Sequence, residues 1–288
     1  MAVFKRSYRH YDGPVTPLWS RFLILARFAF KNVFRSRLLL VFYVLSFVPT
    51  IVFGAFIYLR HNATFLEAFQ VLPRDFMPVD AQFFFIYLSI QASLAFVITA
   101  FIGPGLISPD LANNALPLYL CRPFSRAEYV LGKMSVLIIL ISAVTWIPGL
   151  LLIFMQTNYA GLGWLTSNLR IPVAMLLSSW LWIFVISLLA LALSAWFKWR
   201  VIAGIGLFII FFVLAGFGNT INLILGTQWG TVIDLAQLIT NIMHFLFMGE
   251  GLRGSIPVWS ACLALAVLCA ICLRLLNRRL QAYEVVRS

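Results

Sequence analysis

Cys269-Ala-Ile-Cys272 has the C-x-x-C spacing of a redox pair or of half a metal site. A metal needs more donors than two thiols, and no His or carboxylate accompanies the pair within its apolar stretch. The stretch reads instead as a membrane helix in which Cys serves as a small apolar residue. Gly132-Lys133 has the Gly-Lys of a phosphate-binding loop. However, Ala127 stands where the first Gly of G-x-x-x-x-G-K-[ST] would be, and Met134 stands where its Ser or Thr would be. The chain is therefore not expected to bind ATP by such a loop. The three histidines are His10, His61 and His244, and no H-E-x-x-H occurs. No catalytic residue and no metal ligand is assigned. The third pattern, Ser125-Arg-Ala-Glu128, is a capping box, S-x-x-E. Its chemistry is structural, since it opens a helix.

The elements that position these groups follow from composition. Of 288 residues, 62% are hydrophobic and 10% charged, against about 25% charged in soluble domains. One aqueous core cannot hide that much apolar surface, so the bilayer is the natural solvent. A span takes roughly 20 mostly apolar residues. Six such runs are present, over 38–59, 82–107, 134–155, 171–197, 201–225 and 255–276. No alternating ten-residue strands occur, so the expected fold is an all-α bundle of six transmembrane helices, not a barrel. The domain organisation follows: an N-terminal segment over 1–37, a six-helix membrane domain over 38–276 and a tail over 277–288.

The net charge of +12 could indicate nucleic acid, but its distribution indicates a membrane. With the N-terminus placed in the cytoplasm, 17 of the 21 Lys and Arg fall on that side. Arg60, Arg74, Arg170 and Arg253 fall on the other. This is the positive-inside bias, with both termini cytoplasmic. The basic excess then reports orientation and anionic headgroups, and no nucleic-acid partner is expected. No cleavable signal is expected either, because polar residues dominate until Leu18 and no small-residue cleavage site follows span one.

Three other stretches are informative. Before span one, Arg21, Arg27, Lys31, Asn32 and Arg35 fall on one half of a helical projection. Trp19, Phe22, Leu23, Phe30, Val33 and Phe34 fall on the other, with Ile24, Leu25 and Phe28 departing from the division. The segment is expected to be an interfacial amphipathic helix. Between spans two and three, Ser108-Pro109-Asp110 reads as a helix start. That helix should stop near Leu116, before Pro117. Arg122-Pro123 makes a break, and the capping box then opens an extension of span three. Between spans five and six, the apolar but interrupted stretch 226–254 is expected to fold back as short helices. As delimited, the spans hold no Asp, Glu, Lys, Arg or His in their cores, which argues against a self-powered ion-coupled transporter. Ser89, Gln91 and Ser93 on span two are the main interior polar groups, candidates either for a pathway or for hydrogen bonds between helices.

The stretch "ISPDLANNALPLYLCRPFSRAEYVLGK" resembles the loop after span two in permease subunits of type-2 ATP-binding-cassette (ABC) transporters. Ile107-Ser108, Asp110, Leu116, Leu118, Leu120, Arg122-Pro123, Ser125-Arg126 and Gly132-Lys133 carry the likeness. Asp110 stands where the family usually has Glu, and the family's Gly-Thr is replaced around 113–115. The rest of the chain is similar in layout. The resemblance implies a multi-pass protein of the bacterial inner membrane. Two permease subunits, expected as a homodimer among membrane lipids, would pair above two ATPase subunits. ATP and magnesium would bind to those ATPases and not to this chain, which would be no enzyme and hold no cofactor. It also implies that the segment between spans two and three is a cytoplasmic coupling helix seated on the ATPase. The residues carried over to that role are Asp110, Arg122, Pro123, Ser125, Arg126, Glu128, Gly132 and Lys133. Export of a substrate is the implied activity. The alternatives are a membrane anchor or force-transmitting subunit of the same kind of complex, which moves no small cargo, and an intramembrane enzyme.

Overall fold

A computed structural model of the chain describes residues 30, 34, 36–62, 77–113, 126–197, 199–252 and 254–279, with the side chain of Arg126 excepted. Among these residues every regular element is helical. Six helical stretches are long and apolar enough to cross a membrane: Arg37–His61, Ala81–Ala112, Ala127–Ala160, Arg170–Trp196, Arg200–Leu225 and Val258–Arg279. The chain is a helical, multi-pass membrane protein. The expected interfacial helix lies outside the described residues, apart from Phe30 and Phe34, whose rings stack 6.4 Å apart.

Most spans are broken or locally distorted. Span one is α1 (Arg37–Leu45) followed by α2 (Val48–His61), with Pro49 at the start of the second piece. Span two is α3 (Ala81–Ile102) followed by α4 (Pro104–Ala112), joined at Gly103. Span three is α5 (Arg126–Val144) and α6 (Trp146–Ala160), joined at Thr145 three residues before Pro148. A short α7 (Leu162–Ser167) leads into the unbroken α8 (Arg170–Trp196). Span five consists of α9 (Arg200–Phe208), a π-helical turn over Ile209–Val213, and α10 (Leu214–Leu225). A 3₁₀ turn (Trp229–Val232) and α11 (Leu235–Met248) precede α12 (Val258–Arg279). Prolines explain the first three breaks, because each removes a backbone donor and crowds the preceding turn.

α8 is the hub. Of its most apolar stretch 67% is buried, against 11% for span one and 22% for spans five and six. It packs on α3, α4, α5, α6, α9, α11 and α12. Its buried positions include the small residues Ala174, Ser178, Ser179, Ser187, Ala190, Ala192, Ser194 and Ala195, which let neighbouring backbones approach closely. One such approach is at Gly103, where a side-chain carbon would stand 2.7 Å from Cβ of Ala190. Only Gly fits between spans two and four there. At mid-depth Phe96 of α3 meets Phe211 with ring centroids 4.5 Å apart, and Trp182 of α8 meets Phe211 at 5.8 Å.

The described part of the connection between spans five and six is largely helical. After Gly226 turns in the left-handed region (φ 61°), the chain folds back along α10, and Asn222 Oδ1 accepts the amide of Gly230 at 2.7 Å. Asp234 caps α11 by accepting from the amide of Gln237 at 3.0 Å. At the other end of α11, Arg170 donates to the carbonyls of Leu246 (2.7 Å) and Phe245 (2.6 Å), the second of which also accepts the amide of Gly249 at 2.9 Å. A cation at a helix C-terminus also complements the dipole. α11 packs on α8, α12 and α3. The stretch 226–254, expected to fold back as short helices, holds a 3₁₀ turn and one helix of 14 residues with a side chain on its backbone groups at each end.

Candidate functional site

The site lies where spans two and three turn into the connection 113–126. Its first component is α4. Ser108 and Pro109, expected to begin a helix, lie inside one, because α4 starts at Pro104 and runs to Ala112. Pro109 cannot donate to the preceding turn, and the amides of Ile107 and Ser108 just before it find a partner outside α4. Ser194 of α8 is that partner. Its Oγ accepts from the amides of Ile107 (3.1 Å) and Ser108 (3.0 Å) and donates to the carbonyl of Pro104 at 2.8 Å. The Ser108 hydroxyl in turn lies 2.8 Å from each of the carbonyls of Ser194 and Phe197 at the end of α8, and its one proton serves either. Both serines are fully buried. α4 is therefore capped from another helix, which keeps it helical through a sequence that reads as a break.

The second component joins α4 to α5. Asp110 Oδ2 accepts from Lys133 Nζ at 2.8 Å and from the Tyr129 hydroxyl at 2.7 Å. Tyr129 and Lys133 are one turn apart on α5, and the ammonium lies 5.6 Å from the centre of the phenol ring. The side chains of Lys133 and Asp110 are only 11% and 17% exposed. In such surroundings a carboxylate with a cation and a hydroxyl on one oxygen is held more firmly than a surface pair. Arg200, at the start of span five, donates to the carbonyl of Phe101 at 3.0 Å. Spans two, three, four and five thus meet on this side of the molecule.

Of the residues assigned to coupling from sequence, the structure brings Asp110 and Lys133 into contact. Gly132 is buried beside them in α5, and Glu128 lies half-buried in the first turn of the same helix. Arg122, Pro123 and Ser125, together with the capping box that depends on Ser125, lie outside the described residues, and so does the Arg126 side chain. Ser194 and Tyr129 were not singled out from sequence. A lone Ser in an apolar helix and a Tyr one turn before a Lys are too common to draw notice.

The interior polar groups of span two part company. Gln91 is fully buried, and its amide donates to Thr50 Oγ1 (2.9 Å) and the Tyr87 hydroxyl (3.2 Å), which ties span two to span one. Ser89 and Ser93 donate to the carbonyls of Phe85 (2.8 Å) and Ser89 (3.0 Å) on their own helix. The three do not form one stripe. Cys269 and Cys272 are free thiols on α12. Among the described residues, no three His, Cys, Asp or Glu side chains gather as a metal site would require. No protein-family model matches the chain, and no curated protein matches it either.

Proposed function

We propose that the chain is the transmembrane permease subunit of an ABC exporter, driven by separate ATPase subunits that dock on the segment between spans two and three. In this reading the termini and that segment are cytoplasmic, and the permease works as a pair above two ATPases. The observation that carries the reading is the fastening of both ends of the connection. The Ser108–Ser194 contacts fix its start to span four, and the Asp110–Lys133 pair with Tyr129 ties that start to span three. A loop that only linked two spans would need neither. Force applied at 113–126 reaches three spans through buried polar contacts, as a bistable packed core requires. Asp110 and Lys133 spend their charges on each other, so the docking charges are Arg122 and Arg126.

The test is a charge reversal. Arg122→Glu with Arg126→Glu places like charge against an acidic partner surface, and both positions lie before the apolar stretch Ala127–Ala160. The expected result is normal membrane insertion, with capture of the ATPase in detergent reduced at least about tenfold, equivalent to about 1.4 kcal/mol. Unchanged capture and unchanged ATP turnover at normal expression would reduce the segment to a passive loop.

A further inference from the structure

We propose that a lateral cleft between spans three, four and six binds one anionic phospholipid. Its acyl chain would lie in the cleft and its phosphate on Arg274 and Arg278. The cleft encloses about 350 Å³ and is lined by Leu131 and Met134 of α5, Phe184 and Leu188 of α8, and Leu273 and Asn277 of α12, among others. That volume falls in the usual ligand range of about 300–1,000 Å³. Its lining is almost wholly apolar, with Asn277 placed towards the end of α12. Leu131 and Leu273 remain 54% and 51% exposed, so the cleft opens sideways to the surroundings of the helices.

The charge beside the cleft selects the occupant. Arg274 and Arg278 are one turn apart on α12, on the strip bordering Leu273 and Asn277, and both are exposed. Arg279 is used differently, lying 5.2 Å over the ring of Trp196, where it fixes the end of α12 to the end of α8. An apolar slot with two cations at its rim matches a chain bearing a phosphate. Basic pockets between helices on the cytoplasmic side take such headgroups. The assignment to the inner leaflet rests on the orientation proposed above, whereas the binding itself does not depend on the ATPase.

The test uses the purified full chain in detergent, with lipid retention read by native mass spectrometry. Phosphatidylglycerol is compared with phosphatidylcholine of the same acyl chains. The expected result is one retained phosphatidylglycerol, held in preference to phosphatidylcholine. Arg274→Gln with Arg278→Gln should weaken retention about 25-fold, taking each cation near the surface at about fivefold. Leu273→Trp, which fills the slot at an exposed position, should weaken it comparably while the melting temperature stays near that of the parent. Equal retention of both lipids would overturn the proposal. So would displacement by millimolar glycerol phosphate, or retention sensitive to the arginines but not to Leu273→Trp. None of these outcomes bears on ATPase docking, and loss of ATPase capture would leave lipid retention as it is.

Discussion

Lys133→Met should be among the most damaging single substitutions on the side of the molecule that carries the 113–126 connection. It leaves Asp110 at 17% side-chain exposure with Tyr129 as its remaining polar contact from the cluster. Breaking a buried pair by removing one partner costs about 3–5 kcal/mol, and the residual exposure places this case near the lower figure. Removing both charges together is different. Asp110→Leu with Lys133→Met deletes the unpaired carboxylate along with its partner, so the double variant should be more stable than Lys133→Met alone. Thermal unfolding in detergent of the parent, both singles and the double checks this. The function should split from the stability. The double variant should fold and still turn over ATP poorly with its partner, because the clasp between spans two and three is gone. Single variants that melt like the parent would show that the pair does not hold these helices together.

Ser194→Ala is the second large effect. The hydroxyl serves three backbone groups of α4, the amides of Ile107 and Ser108 and the carbonyl of Pro104. Each buried group left unpaired costs about 1–3 kcal/mol, so a total of about 3 kcal/mol is expected even if α4 tightens to recover one bond. The controls are on the same helix. Ser178 and Ser187 are equally buried, and their hydroxyls have no hydrogen-bond partner in the structure. Ser178→Ala and Ser187→Ala should therefore be neutral or slightly stabilising. A common loss at all three positions would mean that small volume matters in α8 and the hydroxyl of Ser194 does not.

These two clusters also mark what could and could not be read from the sequence. The six spans were legible because roughly 20 consecutive apolar residues have one physical use. Their ends were less so. Span two was expected to stop at 107, because Ser-Pro-Asp has every mark of a helix start. The helix continues to Ala112 because Ser194, 86 positions away in sequence, satisfies the amides around Pro109. No local pattern carries that information. Lys133 was placed outside span three for the same kind of reason, since a charge ends an apolar run. It lies buried within the helix because Asp110 is opposite. Asp110 and Lys133 were chosen as functional, but their mutual contact was not foreseen. The likeness to a known loop named both without pairing them. Gln91 was the reverse case, with a polar group in an apolar helix left open between pathway and packing. Its partners Thr50 and Tyr87 place it at the seam of spans one and two.

The central claim is that the segment between spans two and three seats on an ATPase. A photo-crosslinking residue at position 125, in otherwise unaltered membranes, tests it most directly, with position 64, between spans one and two, as control. The captured protein is identified by mass spectrometry. The account predicts that position 125 traps a protein carrying G-x-x-x-x-G-K-[ST], that position 64 does not, and that Arg122→Glu with Arg126→Glu abolishes the trap. Capture of no such protein from position 125, or equal capture from both positions, would contradict it.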